Sequence, residues 1–273
     1  MQHTALDVWR QVTIFFSIGV AITCLEYFAS FGEFRDGGAC SWNVMRTMVT
    51  RRPRASTVGR LMDRLFDATG VAVLLSLRIG SVVALCVFGP IHPASVVAVV
   101  VLLASHLAFS FRQILGEDGS DQMNSVIAVS LALCLGPIST PVARDLGLWF
   151  ITAQACLAYF SAGVAKLISP IWRNGSAVQR IFDTGSYGMR SVGGALAGRR
   201  EIGLMLCWGV MVFEVLFPLV LVVPVPYRYV ILGTGVVFHL LNAIIMGLNN
   251  FFWSFTATYP AVLYVASRIT EGS

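Results

Sequence analysis

Stretches of about 20 apolar residues, most of them long enough to cross the hydrocarbon of a bilayer, follow one another almost without interruption along this chain. They read as 12–31, 68–88, 94–111, 124–138, 147–167, 202–223, 229–248 and 251–269, so about eight spans are expected. The stretch from Asn124 is the shortest, because Gly136-Pro137 cuts it off. Pro90 and Pro93 punctuate the turn between the second and third, which leaves no room there for a domain. In lipid each backbone amide must find its partner within the protein, which favours helices. Transmembrane β-strands would instead show segments of about ten residues alternating apolar and polar, and these runs do not alternate. The expected fold class is all-α: a polytopic transmembrane helical bundle, with residues 1–273 forming a single integral membrane domain. The first stretch follows Arg10 and has a signal peptide's position, but its length and Glu26 near its far end argue that it is retained.

Charge is scarce throughout. Only 12% of the residues are charged, where a soluble domain carries about 25%. Lipid is therefore the main solvent. The net charge of +5 does not imply a nucleic-acid partner, because the arginines collect in loops 32–67 and 169–201, beside spans, where they orient a membrane protein. With eight spans both loops fall on one side, which the positive-inside rule makes the cytoplasm, with both termini outside. Within the first loop, 56–66 reads as an interfacial helix with Val58, Leu61, Met62, Leu65 and Phe66 on one face. Five of the six cysteines lie inside spans and Cys40 lies in a loop, without a CxxC or Cys/His cluster. That spacing excludes a disulfide framework and a structural zinc site, and no metal is expected.

An ionisable group at mid-membrane costs about 2.5–3.5 kcal/mol, so each one needs a reason. The spans hold Glu26, Arg78, His106, Lys166, Glu214 and His239. Glu26 and Arg78 read as structural partners. Lys166 is the only lysine, against eighteen arginines. A buried lysine can give up its proton near neutral pH and arginine effectively cannot, so Lys166 reads either as a general base or as a side chain snorkelling from a helix end. Tyr159, Gly163 and Lys166 share one helix face at i, i+4, i+7, and Gly235, His239 and Asn242 repeat the spacing in the seventh span. Glu214 is placed to neutralise Lys166 or Arg78. Glu214, His239 and His106 have the alternative of bonding helices together. The loop 112–121 holds Glu117, Asp118 and Asp121, but it lacks the ligand spacing of a calcium loop and reads as a solvated turn.

The run Tyr159-Phe-Ser-Ala-Gly-Val-Ala-Lys166-Leu, with Trp172 and Gly175 beyond it, resembles a stretch of the vitamin K-dependent γ-glutamyl carboxylases. It is similar also to the horizontally transferred transmembrane (HTTM) proteins that share the carboxylase's membrane part. Gly116-Glu117-Asp118, Phe213-Glu214 with Pro218, and Phe238-His239 with Asn242 and Phe251-Phe252 agree in order, so the resemblance runs over about 78–264. It implies a lysine base, Lys166, that deprotonates a reduced quinone, with Glu214 and His239 as catalytic partners and Tyr159, Asn242 and His106 in cofactor binding. The sequence also departs from the carboxylases. Ala165 stands where they have a second lysine, His92 matches their other histidine only across a gap, and nothing after the last span matches their β-rich part.

In size the chain resembles short bacterial members of the family, one of which matures a sporulation-delaying peptide toxin. The implied role is maturation of a small peptide encoded nearby, in the bacterial cell membrane. The alternative is a non-enzymatic export or immunity partner for such a peptide. A transporter ranks lower, because no paired broken helices or repeat halves are evident.

Overall fold

The computed structural model describes residues 4–49, 56–89, 92–112, 118–136, 139–184 and 189–271. Arg51, Arg52, Arg54, Pro90, Gly116, Glu117 and Pro137 lie outside them. Helix is the only regular structure among the described residues. Among the described residues six helices are long and apolar enough to cross a membrane: Ala5–Ala29, Ala68–Phe88, Pro93–Arg112, Pro141–Ile168, Arg200–Leu221 and Val225–Met246. No more than 39% of any of these apolar windows is buried within the protein. The outward side chains are themselves apolar, as with Val73, Leu77, Val83 and Val87 on the second of these helices. A helix that is hydrophobic on every face belongs in lipid. The chain is an integral, multi-pass membrane protein built as a helical bundle.

Two compact units make up the chain, Thr4–Gly147 and Leu148–Ser273. The first opens with α1 (Ala5–Ala29), which starts well before the apolar stretch at 12. Thr4 and Asp7 form a capping box there, satisfying amide groups that the first helical turn leaves free. A short 3-10 turn (Phe31–Phe34), α2 (Trp42–Val49) and α3 (Thr57–Phe66) follow, and then the long helices α4 (Ala68–Phe88) and α5 (Pro93–Arg112). The described parts of the arginine-rich loop, residues 32–49 and 56–67, are folded. Asp63 accepts from Trp42 Nε1 at 2.7 Å and from Arg46 Nε at 2.8 Å, tying α2 to α3. The buried Arg112 lies over the ring of Phe34 at 4.9 Å and donates to the carbonyls of Cys40 and Phe66. Helix α3 does keep Val58, Leu61 and Leu65 outward, but Phe66 turns inward beneath Trp42, with 4.9 Å between the rings.

The fourth expected span becomes α6 (Gly119–Cys134), only 16 residues long. Asp118 caps it, accepting from the amides of Ser120 and Asp121, so this part of the acidic loop serves as a helix start. Trp9, Leu75, Leu102, Ile127 and Leu131 are fully buried and form the centre of this unit. Arg78 meets the ring of Phe109 at 5.5 Å.

Helix α7 (Pro141–Ile168) leads into the second unit, followed by the short helices α8 (Pro170–Arg173), α9 (Ala177–Phe182) and α10 (Arg190–Leu196). Helix α11 (Arg200–Leu216) then tightens into a 3-10 turn at Phe217–Leu221. Pro218 explains the change, since it has no amide hydrogen to give to the carbonyl of Glu214. Helix α12 (Val225–Met246) follows. The last expected span, 251–269, is two helices, α13 (Asn249–Thr256) and α14 (Tyr259–Glu271). Pro260 cannot continue the α13 hydrogen-bond ladder, and its ring would collide with the carbonyl of Thr256. Ala257 and Thr258 at the break are wholly buried, as irregular backbone at membrane depth requires. Arg228 clamps the arrangement, donating to Val223 O and to Thr270 Oγ1, each at 2.9 Å.

Candidate functional site

The site lies in the second unit and has two polar parts on α7. Toward the C-terminal end of that helix, Lys166 Nζ donates to both oxygens of Glu214, at 2.8 and 2.6 Å. Gly163 makes the approach of α11 possible. A Cβ there would lie 2.7 Å from Val215 Cγ2, 2.8 Å from Val215 N and 3.0 Å from Glu214 Cβ. The Glu214 side chain is 5% exposed and that of Lys166 is 22% exposed, so the amine holds the outer position. Trp172 of α8 sits beside it with its ring centre 5.3 Å from Nζ. That ring is itself packed against Ala177, Cys207 and Met211. A carboxylate and an aromatic face therefore hold Nζ from two directions.

The second part is a chain of three polar side chains among aromatic rings. Tyr159, two helical turns before Lys166, has its hydroxyl 2.6 Å from His239 Nε2 and 2.7 Å from the hydroxyl of Tyr259. All three residues are buried. Phe217 stacks on Tyr159 at 3.8 Å, and Phe213 and Phe255 meet it edge-on at 5.6 and 5.1 Å. On α12, His239 is stacked on Phe255 at 4.7 Å and on Phe251 at 6.4 Å, both within 17° of parallel. Gly235, one turn earlier, gives room to Tyr259, whose hydroxyl occupies the place a Cβ would take. His239 Nδ1 is buried and has no hydrogen-bond partner among the described residues.

Five residues singled out in the sequence therefore share this unit: Tyr159, Lys166, Glu214, His239 and Asn242. Lys166 meets Glu214, and Tyr159 meets His239. Asn242 is half-buried on α12, and its backbone carbonyl accepts from Leu248 N at the end of the helix. His106 belongs to the other unit. It lies on α5, where Nε2 is 2.8 Å from Ser125 Oγ of α6, an interhelical hydrogen bond. His92 stacks on Phe88 at 4.7 Å. Tyr259 was not among the residues singled out, because it stands inside what reads as a continuous apolar span. Pro260 beside it was the available signal, since a proline there breaks the helix and releases its first residue toward the core.

No curated protein and no solved structure matches the chain. The family model of the HTTM domain matches residues 138–266. That range takes in the ion pair, the hydroxyl–imidazole chain and three of the four resembling motifs, and Gly116–Asp118 precedes it. Residues 138–266 of this chain are thus similar to the HTTM domain family.

Proposed function

We propose that this protein is a membrane-embedded enzyme that modifies a small peptide, with Lys166 as its base. The observation that carries the reading is the two-oxygen contact between the chain's only lysine and a buried carboxylate. The two groups lie within direct proton-transfer distance, Nζ being 2.6 Å from the nearer carboxylate oxygen. When their shared proton sits on Glu214, Nζ has a free electron pair and faces outward past Trp172, ready to take a proton from a bound acid. When Nζ holds the proton, the carboxylate balances its charge, so both states are tolerated away from water. A general base needs that reversibility, and arginine would not supply it.

The residues present fit a reduced quinone. His239 offers a buried nitrogen without a partner, beside the parallel rings of Phe251 and Phe255. A flat ring carrying oxygen is matched by such a surface. Phe251, Phe255 and His239 would hold that ring, while Tyr159 and Tyr259 hold the imidazole. When bound, the quinol supplies an acidic hydroxyl and, with oxygen, the driving force for removing a proton from the peptide. Lys166 would accept the hydroxyl proton at Nζ and become an ammonium bonded to Glu214, leaving the negative charge on the quinol oxygen.

One observation favours a second reading, a non-enzymatic export or immunity partner. The ion pair satisfies both of its members and by itself fastens α7 to α11. The readings separate in a mass measurement on peptides encoded beside the gene, co-expressed with wild type, Lys166→Met, Lys166→Arg, or no membrane protein. A mass shift with wild type alone supports the enzyme. No shift, with secretion or toxicity of the peptide still dependent on the protein and preserved in Lys166→Arg, supports the partner and sinks the enzyme.

A further inference from the structure

Donor and acceptor bookkeeping along Tyr259, Tyr159 and His239 fixes which way their protons point. The Tyr159 hydroxyl has one hydrogen and two neighbours, His239 Nε2 at 2.6 Å and Tyr259 Oη at 2.7 Å. The neutral imidazole carries one proton, at Nε2 or at Nδ1. Suppose that it is at Nε2. The ring then donates to Tyr159, Tyr159 donates to Tyr259, and the Tyr259 hydrogen has no acceptor among the described residues. That arrangement leaves two buried groups unsatisfied, the Tyr259 O–H and the bare Nδ1, since Nδ1 has no partner in either case.

Now suppose that the proton is at Nδ1. Tyr259 donates to Tyr159, Tyr159 donates to Nε2, and both hydroxyl hydrogens are used. Only the Nδ1–H remains unpartnered. A buried polar group left without a partner is costly, so the second arrangement is favoured by a factor on the order of five to a hundred. Each donor also polarises the next, which strengthens the run in one direction.

We infer that Tyr259 and Tyr159 are positioning residues that hold His239 as its Nδ1–H tautomer, so that the imidazole presents a hydrogen-bond donor to an acceptor oxygen of the ligand. This rests on the quinone reading above for the class of ligand, a planar ring with an oxygen at its edge. The proton direction itself follows from the protein's own side chains. The imidazole is thus a donor toward the ligand, and the task of taking a proton is left to Lys166.

The test is nitrogen-15 magnetic resonance on the full-length protein in lipid nanodiscs, with label in histidine only. The His239 signals are identified by their loss in His239→Asn. The wild type should show a protonated Nδ1 and an unprotonated, hydrogen-bonded Nε2. In Tyr159→Phe the direction is lost and the proton should move largely to Nε2. In Tyr259→Phe the tautomer should persist, with the Nε2 signal displaced toward that of a weaker hydrogen bond. Adding a short-chain reduced naphthoquinone should shift Nδ1 of the wild type and leave the His106 signals in place.

A wild-type ring protonated at Nε2 overturns the inference, whatever Lys166 does. An Nδ1–H ring indifferent to the naphthoquinone overturns the ligand it was assigned to face. Normal peptide modification by Lys166→Met removes Lys166 as the base while leaving the tautomer result intact, so the two failures are distinguishable.

Discussion

The hydroxyl of Tyr259 fills the space where a Cβ on Gly235 would be. Gly235→Ala should therefore push α14 away from α12 and cost about 1–3 kcal/mol, the usual range for an overpacked interior. Thermal unfolding in detergent reads this as a lowered midpoint. Tyr259→Phe in the same chain removes the colliding oxygen and should recover part of the loss. A double variant no more stable than Gly235→Ala would show that the notch is not what Gly235 provides.

Gly163 has a comparable role on the other side of Tyr159, but its neighbour is backbone. A Cβ there meets Val215 N at 2.8 Å, and an amide nitrogen within a helix cannot swing aside. Gly163→Ala should accordingly cost more than Gly235→Ala and should separate Lys166 from Glu214. Thermal midpoints of the two variants, measured side by side, check the order.

Removing one member of the Lys166–Glu214 pair leaves the other charged and half-hidden from water. Glu214→Gln should lower stability by about 3 kcal/mol, within the range for a broken buried pair. Lys166→Met combined with Glu214→Gln should restore most of it, because neither charge then remains. Equilibrium unfolding of the four proteins forms a double-mutant cycle. Additive losses would mean that the pair contributes no coupling.

Arg112 holds the folded loop of the first unit through two carbonyls and the ring of Phe34. Arg112→Ala should release the segment from Phe34 to Phe66, at a cost of about 2–3 kcal/mol for charge-assisted bonds lost. Trypsin should then cut after Arg46, which is 9% exposed in the intact fold, at a rate at least tenfold higher. An unchanged rate would mean that other contacts keep the loop in place.

Much of the bundle could be read from the sequence because lipid imposes so simple a requirement. Twenty apolar residues in a row must be helical, and six such helices stand where the apolar stretches are. What escaped were the places where one residue overrides hydropathy. Pro260 divides the last stretch and Pro218 tightens the end of α11, and neither lowers the apolar character of its window. The capping box at Thr4 extends α1 beyond its apolar part for a reason unrelated to lipid. In the site, Lys166 and Glu214 stood out because charge is costly in hydrocarbon, and they do meet. Tyr259 did not stand out, since a tyrosine in an apolar run is unremarkable until its hydroxyl is seen against Tyr159. His106 was costly for the same reason as Lys166, yet its partner is Ser125 on the next helix.

The buried break between α13 and α14 bears on how the protein is made. The break at Ala257 and Thr258 is buried, and the helices on either side of it pack on elements that come earlier in the chain, α13 on α12 and α14 on the turn at Phe217–Leu221. A segment that depends on such shielding cannot leave the translocon and partition into lipid by itself. Helices α13 and α14 therefore have to enter the membrane as guests of helices already there, and the aromatic cluster around His239 is completed only once they have joined.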